Sequence, residues 1–182
     1  MATTKKINVL FSAEMIRRRI RPLAYEISQC LDTSQELVLV VILKGAVMFG
    51  ADLARALAPF FPLLRVEFMR LSSYGNERKT SGEVKVELDL SHPIEGRQVL
   101  VVEDIIDTGT TLGYLVRLLQ ARRPRTLQVA ALLDKPSGRH AGNGGVHADY
   151  VGFEVGPVFV VGYGLDDAGF YRALPYVGVV ED

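Results

Sequence analysis

The stretch VLVVEDIIDTGTTL, Val99 to Leu112, decides the fold. Four apolar residues lead into Glu103 and Asp104; Ile105 and Ile106 follow, then Asp107 and a Thr/Gly run that ends at Leu112. Val99 to Val102 reads as a strand covered on both faces, the pattern of a parallel sheet. Leu112, Leu115, Val116 and Leu119 recur at helical spacing, which predicts a helix over Thr110 to Ala121. A buried strand that turns straight into a helix is half of a βα unit. Ligands of open α/β sheets bind beyond the carboxyl ends of the strands. Glu103 and Asp104 are expected just past such an end, with Asp107 to Thr111 in the turn that follows.

The flanking sequence extends this pattern. Leu37 to Leu43 is a second uninterrupted Val/Leu/Ile strand, and Gly45 opens a helix that carries Phe49, Leu53 and Leu57 on one face. Pro59 and Pro62 close that helix. Nearer the N-terminus, Ser12 is a plausible cap, with Glu14 favourably placed in the first turn. Ile16, Ile20, Leu23, Ala24, Ile27 and Leu31 follow as an apolar stripe, with Arg17, Arg18, Arg19 and Arg21 on the solvated face. Pro22 is expected to kink or interrupt this helix. Val84, Val86 and Leu88 alternate with charges as a half-exposed strand. The long polar connection Ser72 to Gly82 is of the kind that is functional or disordered. Thr126 to Asp134 is a further strand, Lys135 to Ala148 a loop, and DYVGFEVG and VFVVGYG late strands. The reading is an α/β fold with a mainly parallel twisted sheet flanked by helices. It is one domain over residues 1–182, with a core at about 35–155 and a small, irregular or β-rich hood from the N-terminal segment and about 156–182.

Composition excludes several classes. Lys plus Arg and Asp plus Glu are 21 each, so no bulk charge points to nucleic acid or to an anionic membrane. Apolar residues make up 48% of the chain, which argues against disorder. The single Cys30 excludes an internal disulfide and a multi-cysteine zinc site. No apolar run approaches the roughly 20 residues of a membrane helix, and MATTKKINVLFSAEM has no signal-peptide core. A soluble cytoplasmic protein is the expectation.

Chemically, the opening stretch joins an anion cradle to an acidic ledge. Amide N–H groups at a helix N-terminus attract an anion, and a glycine lets the backbone come close. Thr hydroxyls add donors, while carboxylates suit ribose hydroxyls or Mg²⁺. Acids at a strand end followed by Thr also occur simply as helix caps and solvated edges. A DTG triplet occurs around the catalytic Asp of aspartic proteases, but those need an all-β chain. The Walker A spacing is absent. A phosphate-accepting Asp of a receiver domain would leave the glycine-rich second half unexplained.

An apolar strand, Glu-Asp, two apolar residues and Asp-Thr-Gly-x-Thr resemble the phosphoribosyl-pyrophosphate motif of type I phosphoribosyltransferases. LKG at Leu43 to Gly45, SSYG at Ser72 to Gly75, DKPS at Asp134 to Ser137 and FVVGYGLD at Phe159 to Asp166 narrow the resemblance to the hypoxanthine/guanine phosphoribosyltransferases. The patches run in family order from about Val9 to Val180. The resemblance implies transfer of a 5-phosphoribosyl group to N9 of a 6-oxopurine, with Mg²⁺, in purine salvage that yields IMP or GMP. By resemblance, Glu103 and Asp104 hold the ribose hydroxyls with Mg²⁺. Asp107, Thr108, Gly109, Thr110 and Thr111 cradle the 5-phosphate, and Asp107 is also the candidate general base near N7. Lys44, Gly45 and Arg172 meet pyrophosphate, and the peptide before Lys44 can be cis in the family. Lys135 donates to O6, Phe159 stacks on the purine, and Val160 contacts the base through its backbone. Asp166 borders the purine pocket and is the candidate ligand of a second Mg²⁺. Ser72, Ser73, Tyr74 and Gly75 begin a mobile loop that closes over the site. Relatives are commonly dimers or tetramers.

Departures border the base pocket: Gly156-Pro157 replaces a common Pro-Asp, Asp167 a common Tyr, and the segment Arg139 to His147 is glycine-rich. Thr110 stands where some members have Lys. The competing reading is a regulator that keeps the site as a sensor and binds nucleic acid through Arg17 to Arg21 or Arg122, Arg123 and Arg125. A transferase that prefers xanthine or adenine is a third.

Overall fold

The computed structural model describes residues 5–73, 84–138 and 147–181. In chain order the elements are β1 (Ile7–Phe11), α1 (Ala13–Cys30), β2 (Leu37–Leu43), α2 (Val47–Leu57), β3 (Leu64–Ser73), β4 (Val84–Leu88) and β5 (Gln98–Ile106). Then come α3 (Thr110–Gln120), β6 (Thr126–Asp134), a 3-10 turn (Pro136–Gly138), β7 (Tyr150–Glu154), β8 (Val160–Val161) and β9 (Val177–Val180). Six strands form one sheet in the order β4-β3-β2-β5-β6-β7. Pairing is parallel from β3 through to β7, and only edge strand β4 is antiparallel. The chain leaves β2 for β3 on one side and returns through β5 on the other. That reversal is a topological switch point, where a crevice opens at the carboxyl ends of the strands.

Strand alternation supplies both faces of the sheet with core. In β2, Leu37, Leu39 and Val41 join Ile16, Leu23, Ile27, Phe49 and Leu53 under α1 and α2. Val38, Val40 and Ile42 join Val99, Val101, Leu112, Leu115 and Leu119 under α3. This double coverage is why β2 and β5 are apolar without a break. Ser12 Oγ accepts from Met15 N at 3.2 Å and caps α1.

Two expectations are corrected. Helix α1 runs through Pro22 without interruption. Pro22 removes the bond to the Arg18 carbonyl, and both residues are exposed, so water can satisfy that carbonyl. Strand β3 continues through Ser72 and Ser73, which pair with Lys85 and Val84, so the connection to β4 starts later than its composition suggested. Tyr74 and Gly75 lie outside the described residues, as does most of the glycine-rich segment, residues 139–146.

The N-terminal strand and the last third of the chain meet in a separate antiparallel sheet, β1-β9-β8. It is joined to the main sheet by stacking of Phe11 on Phe153, with centroids 4.2 Å apart. An ion pair of Lys5 with Asp167 (2.5 Å) ties β1 to the loop after β8. Among the described residues, no helix is long and apolar enough to cross a membrane.

Candidate active site

The crevice at the switch point is a cavity of about 340 Å³. Lys44 and Gly45 after β2, Glu103 to Gly109 from β5 into the turn, Thr111 and Leu112 of α3, and Asp166 and Arg172 from the connection between β8 and β9 line it. A larger groove of about 750 Å³ lies between α1 and α2. Its one lining carboxylate, Asp52, is already bonded to Tyr163 and Arg55. The chemistry therefore belongs to the smaller, acid-lined cavity.

Strand β5 runs to Ile106, so Glu103 and Asp104 lie within the strand and not beyond it. Their side chains leave on opposite faces of the sheet. Asp104 lies against the glycine that opens α2: a Cβ on Gly45 would overlap its carboxylate. Glu103 is only 8% exposed and Asp104 is partly buried, so the acidic ledge is set into the sheet. Burial, then the neighbouring Asp104 charge, pushes the Glu103 carboxyl well above its usual range. Burial also raises Asp104, against the Ile105 N–H that donates to its Oδ1 at 2.8 Å and the positive Arg172 nearby. A cation beside either carboxyl would offset the cost of ionising it.

The turn after β5 has the form expected of an anion cradle. Gly109 adopts φ 78°, the left-handed region open to glycine, and α3 begins at the next residue. Thr110 N donates to Thr108 Oγ1 at 3.4 Å. The first turn of α3 contains no acid of its own, so its positive end is not offset from within the helix. Thr108, Gly109 and Thr111 line the cavity, whereas Thr110 does not.

Asp107 heads the turn, and its Oδ2 lies 3.3 Å from Lys135 Nζ. Parallel pairing of β5 with β6 puts Ile106 opposite Asp134, and Lys135 N donates to the Ile106 carbonyl at 2.9 Å. The sheet thus brings together two residues 28 positions apart. A carboxylate acceptor beside an ammonium donor can serve two adjacent polar atoms of one planar ligand.

Arg172 makes two contacts within the fold. One nitrogen donates to the Gly164 carbonyl at 2.6 Å, and another lies 2.6 Å from Asp166 Oδ1. Asp166 Oδ2 also accepts from Gly169 N at 2.7 Å. Gly164, with φ 106°, packs so closely on the Gly45 carbonyl that a Cβ there would overlap it. Sequence reasoning did not single out Gly164. The GYG turn was visible, but its contact with Gly45 joins segments more than a hundred residues apart. The Leu43–Lys44 peptide is cis.

The remaining candidates sit apart from the cavity lining. Phe159 is exposed (57%) just before β8, and Val160 is buried in β8. Neither they nor Lys135 line the cavity. Asp167, one of the departures, pairs with Lys5. Among the described residues, no group of three or more His, Cys, Asp or Glu side chains could hold a metal ion by itself.

Residues 10–168 match the phosphoribosyl transferase domain family. The hypoxanthine-guanine phosphoribosyltransferase of Bacillus subtilis is 47% identical over 174 residues, spanning 95% of this chain and 92% of that protein. The protein of the same name from Mycobacterium tuberculosis is 45% identical over 180 residues, spanning 96% of this chain and 86% of its own length. Among solved structures, the Trypanosoma cruzi hypoxanthine phosphoribosyltransferase in complex with its product IMP superposes with a TM-score of 0.87 at 41% identity. It covers all of this chain and is itself covered to 97%.

Proposed function

The chain belongs to the phosphoribosyl transferase family, and from that premise we infer that it is a hypoxanthine/guanine phosphoribosyltransferase. It transfers the 5-phosphoribosyl group of phosphoribosyl pyrophosphate to N9 of a 6-oxopurine, giving IMP or GMP and pyrophosphate in purine salvage. The observation that carries this reading is the pairing of Asp107 with Lys135 at 3.3 Å, at the head of a helix N-terminus and beside Glu103 and Asp104.

In the reaction, the bond from ribose C1′ to the pyrophosphate oxygen breaks and the bond from C1′ to purine N9 forms. The proton shed by the purine goes to Asp107 at N7. Lys135 donates to O6. Adenine carries an amino donor there, so the same lysine discriminates against it. Thr108 to Thr111 and the amides of α3 hold the 5-phosphate with neutral donors. Lys44 and Gly45 meet the pyrophosphate through backbone N–H groups, with Arg172 on the same side. Phe159 stacks on the purine, and the Val160 backbone and Asp166 border it. Ser72, Ser73, Tyr74 and Gly75 open the segment that closes over the site and excludes water.

Glu103, Asp104 and Asp166 fit Mg²⁺, a hard cation held by one or two carboxylates together with substrate phosphates and not by an all-protein cage. When bound, that ion supplies charge neutralisation for the pyrophosphate. The chain works as one domain with a hood built from β1 and the segment after residue 156, in the cytoplasm. Exposed Leu63, Val66 and Phe68, at and beside β3, support assembly as a homodimer or homotetramer.

The test is a substrate panel: purified protein, Mg²⁺ and phosphoribosyl pyrophosphate with hypoxanthine, guanine, xanthine, adenine or uracil. Turnover of hypoxanthine or guanine is expected. No turnover of any 6-oxopurine sinks the reading. Turnover of xanthine or adenine alone assigns a different base. Tight, salt-sensitive binding of nucleic acid without turnover would favour the sensor.

A further inference from the structure

Residues Pro136–Gly138 form one 3-10 turn directly after Lys135, closed by Gly138 N, which donates to the Lys135 carbonyl at 3.1 Å. The turn swings the chain back over the start of the phosphate loop and lays Gly138 against Asp107. A Cβ at position 138 would overlap Asp107 Oδ1, and it would lie 3.0 Å from Cγ and 3.3 Å from the Asp107 carbonyl carbon. The three nearest atoms all belong to this one residue. Gly138 is not among the glycines with positive φ, so its backbone does not itself demand glycine. What a side chain there would meet is the carboxylate, which would have to move aside. The other oxygen of that carboxylate, Oδ2, faces Lys135 Nζ at 3.3 Å. Asp107 therefore rests in a slot with an ammonium group at one oxygen and a bare Cα at the other.

We infer that Gly138 is a positioning residue for the transfer: by lacking a side chain, it keeps the Asp107 carboxylate aimed at Lys135. The inference rests on the role given above to Asp107. Lys135 and Asp107 must meet O6 and N7 of one rigid purine, so their relative placement is a single geometric requirement. A methyl group at position 138 turns the carboxylate out of its slot and breaks the alignment of both. A displacement of about 1 Å in such a constellation costs on the order of a hundredfold in rate.

The experiment is a cycle of wild type, Gly138→Ala, Asp107→Ala and the double variant, assayed with hypoxanthine and phosphoribosyl pyrophosphate. Gly138→Ala is expected to lower kcat by about tenfold or more while leaving the phosphoribosyl-pyrophosphate KM within about twofold. In the Asp107→Ala background the same change is expected to do nothing further, because the group it strikes is gone. A Gly138→Ala enzyme with wild-type kcat, or losses that add in the double variant, overturns the role of Gly138 while Asp107→Ala remains impaired. Wild-type turnover by Asp107→Ala overturns the base assignment instead. If Gly138→Ala folds poorly, the cycle is read in thermal unfolding. A Tm loss cancelled by Asp107→Ala supports the slot, and a loss that persists refutes it.

Discussion

At the scale of single residues, the site is built from carboxylates held in three different ways. Asp107 is paired with a lysine, Asp166 with an arginine, and Glu103 and Asp104 share a buried region. The buried pair carries a sign that can be tested. Both carboxyls titrate above their unfolded values, so ionising them costs stability as pH rises through their folded pKa. Glu103→Gln is therefore expected to raise the Tm of the ligand-free protein at neutral pH. The advantage shrinks on acidification and vanishes below the ordinary glutamate value of 4.5. Thermal unfolding of both proteins across pH checks this. The comparison must be a difference, because Glu67 and Asp89 titrate below their ordinary values and lose stability on acidification. The same pair predicts that binding of Mg²⁺ and phosphoribosyl pyrophosphate weakens as pH falls through the raised pKa, since a proton competes with the ion. Titration calorimetry at two pH values reads that effect, and a pH-independent affinity would contradict it. Lys135→Ala should raise the purine KM by about tenfold or more, the range for losing a hydrogen bond to a charged group. A loss confined to the phosphoribosyl donor would remove Lys135 from the O6 role.

At the scale of elements, α2 shows how closely helix and sheet are fitted. A Cβ on Gly50 would lie 2.6 Å from both methyl groups of Val41 on β2. Alanine at a helix interior gains about 1 kcal/mol over glycine. Overpacking against a stiff β-branched side chain costs about 1–3 kcal/mol, so the clash wins. Gly50→Ala is expected to be destabilising, and chemical denaturation measures by how much. A stabilised variant would mean that α2 can slide on the sheet. Helix α1 makes the complementary point. Its apolar stripe was legible by spacing, yet the effect of Pro22 depended on whether the orphaned carbonyl faces water, which spacing does not encode. Likewise, Glu103 looks like a surface acid beside a strand. The continuation of β5 alongside β6 carries it into the sheet, where it is buried.

At the scale of the molecule, the switch point between β2 and β5 gathers segments from the whole chain: Lys44, Glu103 to Gly109, Thr111, Asp166 and Arg172. The connection between β8 and β9 is clamped to this crevice where Gly164 packs on Gly45, and Arg172 bridges Gly164 to Asp166 within it. The apolar side chains left exposed at β3 predict self-association. Sedimentation velocity should give a mass at least twice the 20.1 kDa of one chain, and Phe68→Glu should lower it. A wild-type monomer at micromolar concentration would refute the assembly.

The sequence by itself determined the parallel core and the glycine-threonine turn into α3, because each is a local pattern. A strand buried on both faces is apolar at every position, and a helix start that cradles an anion is glycine and threonine within a few residues. The family's motifs likewise lie in short contiguous runs. Tertiary structure alone decided how buried the two acids are, which lysine faces Asp107, and which glycines the carboxylates need. Those properties depend on contacts between residues far apart in the chain, and a glycine shielding a distant carboxylate looks the same in sequence as a glycine in any loop.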